Sequence, residues 1–217
     1  MSVSTKLYKG YTIKVEQDDT PMNPRTECDN LGTMACFHTR YTLGDTGHGY
    51  DSRDYKGWEG MKQAILKDNP DAVILPVYMY DHSGITINTT GFSCPWDSGQ
   101  VGFIFLSLYD ARKQMHWKVV TKKRRAQLES YLRGEVEVYD QYLRGEVYGY
   151  EVIAPDGEEL HSCWGYYGDP DESGLMIEAQ GQVDWAIKDA CKSHFSKLKA
   201  WIKNKVELTY RLPCGAL

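Results

Sequence analysis

Apolar residues change their spacing several times along the chain, and each change marks an element. Residues 6–17 (KLYKGYTIKVEQ) alternate about Lys9-Gly10, the period of a short hairpin or one bent strand. A loop rich in Asp, Asn, Pro and Gly follows over 18–34. Ala35 to Leu43 alternates again and predicts a strand, and Gly44 to Asp54 predicts a surface loop. Trp58, Met61, Ile65 and Leu66 keep helical spacing over 57–68, where Asn69-Pro70 stops the helix. Ala72 to Tyr80 is almost wholly apolar, as a strand covered on both faces would be. Pro76 inside it predicts an edge position or a bulge. Asp81-His82-Ser83-Gly84 is the turn of a hairpin returning over Ile85 to Thr89, and after a loop at 90–100 a buried strand runs from Val101 to Leu108.

From Thr121 the step becomes helical. Leu128, Leu132, Val136, Tyr139 and Leu143 share one face of a helix of about six turns, with Gly145 just past its end. Tyr148–Ala154 and Leu160–Tyr167 read as strands joined at Pro155-Asp156-Gly157. A stripe through Leu175, Ala179, Val183, Ile187, Leu198, Trp201 and Ile202 predicts a last helical region over 174–206, broken near Gly181, with a short tail that holds Pro213. The hexapeptide at Tyr131–Val136 recurs at Tyr142–Val147. Eleven residues is three helical turns, so within one helix both copies would face the same way. These elements predict the α+β class: one domain over 1–217, an antiparallel or mixed sheet of roughly five to seven strands packed by about three helices.

Composition narrows the function classes. A chain of 217 residues, 41% hydrophobic, buries roughly 70% of its unfolded surface and is neither disordered nor fibrous. The stretch 72–80 is too short to cross a bilayer and the first fifteen residues lack the apolar core of a secretory signal, so no membrane partner is expected. Six cysteines (28, 36, 94, 163, 191, 214) form no CxxC pair, so reduced thiols in a cytoplasm are expected.

Net charge is −5, but its distribution says more. No Lys or Arg lies between Lys67 and Arg112, nor between Arg144 and Lys188, where ten acids fall. Cations bunch at 112–125 and 188–205. The sequence therefore predicts an acidic docking surface made of Glu158, Glu159, Asp169, Asp171 and Glu172, with Trp96, Asp97 and Trp164 as neighbouring anchors. Two alternatives stand beside it. Lys122, Lys123, Arg124 and Arg125 would contact phosphates directly, which a pI near 5.7 disfavours. Or the acidic strands are neutralised by the basic helices within the fold.

Three constellations carry candidate chemistry. Cys28, Cys36 and His38 with His161 and Cys163 have the residue types of a zinc site, without its usual tight spacing. Cys94 and His82, beside Asp81, Ser83, Ser93 and Asp97, would form a nucleophile and base if their two turns meet. Asp18, Asp19, Asp29, Asp45, Asp51 and His48 would gather round a divalent cation in a metal-dependent hydrolase or nuclease. Each has an ordinary counterpart, a buried thiol or a turn side chain bonded to nearby backbone. No P-loop, G-x-G-x-x-G or H-E-x-x-H is present, and no cofactor is expected.

Three segments carry a resemblance: Asn23-Pro24-Arg25 with Asp29–Met34 and on through His38 to Gly44-Asp45; Tyr80–Gly84 through Pro95–Gly102; and Ser162–Gly168. In these the chain resembles a family of uncharacterised proteins carried by bacteriophages and other mobile elements. The resemblance implies a phage accessory protein in a host bacterial cytoplasm and gives no residue a role. The expectation is then a non-enzymatic binder that inhibits a host protein, a defence nuclease or its guide complex, through the acidic surface.

Overall fold

A computed structural model describes residues 2–205; the expected tail with Pro213 and Cys214 lies outside them. The described chain is α+β, with eight strands in two antiparallel sheets of four and five helices. One sheet was expected. The strands instead belong to two compact units, each with its own core.

The first unit holds the N-terminal strands, 148–166 and the segment from 170 onward. Strands β1 (Ser2–Tyr8) and β2 (Tyr11–Gln17) form the expected hairpin, turning through Lys9 and Gly10, both at positive φ. Strands β7 (Val147–Ile153) and β8 (Glu159–Tyr167) complete the order β1-β2-β7-β8. Ile13, Val15, Tyr150 and Val152 point to one face, where a long C-terminal helix covers them with Leu175, Met176, Ala179 and Val183.

The second unit comprises 18–147 and 167–169. Its helices are α1 (Pro24–Glu27), α2 (Gly57–Asp68), α3 (Leu108–Gln114) and α4 (Lys122–Leu143); the helix of the first unit is α5 (Leu175–Lys205). The sheet runs β3-β6-β4-β5, from β3 (Thr33–Cys36), β6 (Ser98–Leu106), β4 (Val73–Asp81) and β5 (Ile85–Asn88). Alternation along β6 sends Ile104 and Leu106 to Leu128, Leu132 and Val136 of α4, and Phe103 and Phe105 to Met61 and Ile65 of α2. Both faces are covered, which is why β4 and β6 read as nearly unbroken apolar runs.

Three expectations are corrected here. The strand foreseen over 35–43 ends at Cys36, and a single bridge, Ala35 to Gly44, remains of its far end. Helix α3 falls where no helix was expected, although Ser107 and Asp110 are its cap: the Ser107 hydroxyl accepts from the Asp110 N–H at 3.0 Å. Helix α5 runs unbroken through Gly181, where a side chain would meet only open space. As Gly145 and the strand expected from Tyr148 imply, the second copy of the repeated hexapeptide runs out of its helix: α4 ends at Leu143 and Gly145 turns the chain at φ 72° into β7. Pro76 sits where β4 pairs with β6 alone, since β5 reaches only Tyr78–Asp81, and a bulge follows at Val77/Tyr78. The strand is central in order but locally an edge at its proline.

Candidate functional site

The turn of the β4–β5 hairpin and the loop entering β6 meet at one end of the second unit's sheet. The Asp81 N–H donates to the Asp97 carbonyl at 2.9 Å, and the Ser98 hydroxyl donates to the Cys94 carbonyl, which closes the loop on itself. Tyr80 lies against Phe92 and His82 with ring centroids 5.6 and 6.0 Å apart. This bracing leaves Trp96 at the loop's tip, 91% exposed. Beside it is a cleft of about 300 Å³ walled by His38, Arg40, Asp81, Asp97 and Gln100. Arg40 pairs with Asp81 across this cleft, and His38 stacks on Tyr41 at 5.0 Å.

Asp81, His82, Cys94 and Asp97 thus do converge. Their order is wrong for a thiol hydrolase, which needs an imidazole between thiol and carboxylate. Here Asp97 Oδ2 is the central atom, 3.3 Å from His82 Nδ1 and 3.9 Å from Cys94 Sγ. The thiol is turned toward this carboxylate and not toward the imidazole. The carboxylate orients both neighbours and thereby stiffens the turn that carries Trp96.

The acid-rich loops do not gather round an ion. Asp18 accepts from the Thr20 N–H at 3.0 Å. Asp51 pairs with Arg53 at 2.6 Å, and that guanidinium pulls its carboxyl down to about 2. His48 stacks on Tyr50 and meets the edge of Phe37, and burial lowers its pKa below the usual value. Asp45 belongs to Arg25. That guanidinium, 6% exposed, uses all five N–H donors: two to Asp45 at 2.7 Å, the others to Glu135, Asn30 and the Gly32 carbonyl. A cation so satisfied has nothing left for a ligand and serves as a structural hub.

The zinc candidates fare no better. Burial drives the Cys36 thiol up to about 12, the reverse of what a thiolate ligand requires. Cys28 is exposed, and His161 stacks on Tyr150 with a 3.2 Å contact to its hydroxyl. Among the described residues no three His, Cys, Asp or Glu side chains are grouped to hold a metal.

The expected acidic surface divides between the units. Trp96, Asp97 and Asp169 belong to the second; Glu158, Glu159, Trp164, Asp171 and Glu172 belong to the first. Several acids of the cation-free stretch are neutralised, chiefly by a part of the chain other than the basic helices. Lys6 meets Asp171 at 2.6 Å, Lys9 meets Asp184 at 2.7 Å and Lys14 meets Glu151 at 3.6 Å, all from the N-terminal hairpin. Glu178 accepts from the Tyr166 hydroxyl at 2.7 Å. Glu158, Glu159 and Glu172 stay exposed. Trp164 lies over Gly149, where any side chain would overlap its ring, so the indole is partly spent on its own sheet.

The basic cluster is also partly consumed. Arg124 lies 4.7 Å over the Trp117 ring and donates to the Val119 carbonyl, while Arg125 donates to the carbonyls of Asp71 and Ala72. These two hold the start of α4 to its surroundings, and Lys122 and Lys123 remain exposed on the first turn. From sequence alone Arg25 and Arg40 take no site role, because each is paired with carboxylates far along the chain. No helix among the described residues is long and apolar enough to cross a membrane. Comparison with protein-family models, curated proteins and solved structures returns no match to this chain.

Proposed function

We propose that the chain works by binding a protein partner rather than by catalysis, with Trp96 as the anchor of the contact. The observation that carries this reading is a tryptophan 91% exposed on a loop that its own hydrogen bonds hold rigid. An apolar ring of this size left in water adds almost nothing to folding, and tryptophan is among the residues most enriched in interface side chains whose loss costs 2 kcal/mol or more, roughly thirtyfold in affinity. Rigidity lowers the entropy lost on docking. Arg40, Asp81, His82 and Asp97 give the ring a polar rim of both signs.

The phage resemblance makes the partner a bacterial host protein, with inhibition by occlusion as the outcome. Glu158, Glu159 and Glu172 then form a secondary, steering surface that changes association rate more than affinity. Capture from host lysate tests the reading with wild type, Trp96→Ala and a Glu158→Lys/Glu159→Lys/Glu172→Lys triple. Trp96→Ala should lose a partner that wild type retains, and the triple should retain it with slower capture that added salt no longer slows further. A partner list unchanged by Trp96→Ala removes the proposal.

A further inference from the structure

Helix α5 has two halves of different character. Its first turns are buried through Leu175, Met176, Ala179 and Val183, and its packing against the sheet ends with half-buried Ile187. Residues 188–205 continue for about 27 Å of helix in which every residue is exposed. The apolar stripe that predicts packing on the sheet continues here, but faces solvent. At about 100° per residue, Cys191, Phe195, Leu198, Trp201 and Ile202 fall within an arc of about 120°. Phe195 and Trp201 are 63% and 59% exposed. Lys188, Lys192, Lys199 and Lys203 fall in an arc of about 60° along one flank, Lys197 lies on the other, and His194 and the last lysine, Lys205, fall within the apolar arc. The segment holds six lysines against one acid, Asp189, which sits opposite the apolar arc.

We propose that this end of α5 docks on an anionic lipid surface, lying in its plane with Phe195, Leu198, Trp201 and Ile202 inserted and the lysines against the headgroups. Charge decides among occupants. A second copy of the same helix would bring two strongly cationic flanks together, which like-charge repulsion opposes. An anionic plane meets cations on both flanks at once. Lysine's four-carbon stem can cover apolar surface while its ammonium reaches the phosphates. Aromatic rings on the apolar side and lysines on the polar side are the composition of helices that lie in a membrane interface without spanning it. The proposal is independent of the Trp96 reading, since it concerns different residues in the other unit.

Vesicle co-sedimentation of the full chain tests it, with phosphatidylglycerol–phosphatidylcholine vesicles against phosphatidylcholine alone. Wild type should pellet with the anionic vesicles only and be released by added salt. Each lysine near such a surface raises partitioning about fivefold, so Lys192→Glu/Lys199→Glu should lower it at least about twentyfold. Leu198→Ala/Trp201→Ala should also abolish pelleting, while Lys122→Glu/Lys123→Glu leaves it intact. The altered side chains of α5 touch no core, so a lost signal is not a folding failure. Absence of pelleting at low salt overturns the proposal and leaves an acid-rimmed groove on a protein as the better fit. Pelleting that survives either α5 variant, or that is lost with Lys122→Glu/Lys123→Glu, overturns it as well.

Discussion

Two loop regions of the second unit treat their side chains in opposite ways. Around Arg25 the chain draws a cation and two carboxylates inward and meets every donor of the guanidinium. Around Trp96 it uses hydrogen bonds just as deliberately, yet the side chain they hold up is the most exposed large apolar residue described. Bonds at the first region fix the fold, and bonds at the second present a ring to solvent. On the proposed reading, stability and recognition fall in separate places, and substitutions should move one without the other.

The largest effect is expected at the hub. Arg25→Met leaves Asp45 and Glu135 without their shared cation and should lower unfolding stability by about 3–5 kcal/mol in urea titration. A loss under 1 kcal/mol would mean that the carboxylates escape to water and that the hub is incidental. Asp140 is a smaller version of the same device. Its Oδ1 accepts from the Thr86 hydroxyl at 2.6 Å and the Ile87 N–H at 2.7 Å. Asp140→Ala should cost about 1–3 kcal/mol by the same titration.

His48 gives a pH-dependent comparison. Burial disfavours its charged form, so the unfolded chain takes the proton more readily than the folded one. Its contribution is therefore complete above its ordinary 6.5 and is lost as pH falls through the lower folded value. His48→Gln should flatten the fall of the urea midpoint on acidification below about pH 6.5. An unchanged slope would assign that dependence to other groups. At the presenting end, Cys94→Ala should leave partner capture unaltered, because the 3.9 Å thiol contact is weak and the loop is closed on the Cys94 backbone carbonyl, which alanine keeps.

Much of this architecture is readable from local pattern. Helices α2 and α4 and the hairpins at Lys9-Gly10, Asp81–Gly84 and Pro155–Gly157 follow from periodicity and turn chemistry, both properties of adjacent residues. What escaped depends on distant partners. Alternation continues past Cys36, but the chain leaves the sheet there, and side-chain parity cannot report whether a neighbouring strand exists. Gly181 did not break α5, because Ala179 and Val183 on either side are buried against the sheet and outweigh roughly 1 kcal/mol of glycine propensity. The charge map along the sequence missed Lys6, Lys9 and Lys14, which lie more than a hundred residues from the acids they neutralise. In the candidate site, Trp96, Asp97 and His82 stood out by residue type. Their shared geometry and the saturation of Arg25 are tertiary facts.

The measurement closest to the central claim is made on Trp96→Ala alone, reading unfolding stability and retention of the host-lysate partner from one preparation. A ring that touches little of the fold should leave stability within about 0.5 kcal/mol of wild type while partner retention falls at least about thirtyfold. Retention equal to wild type, or a loss of stability large enough to explain the change, would contradict the assignment of this loop to recognition.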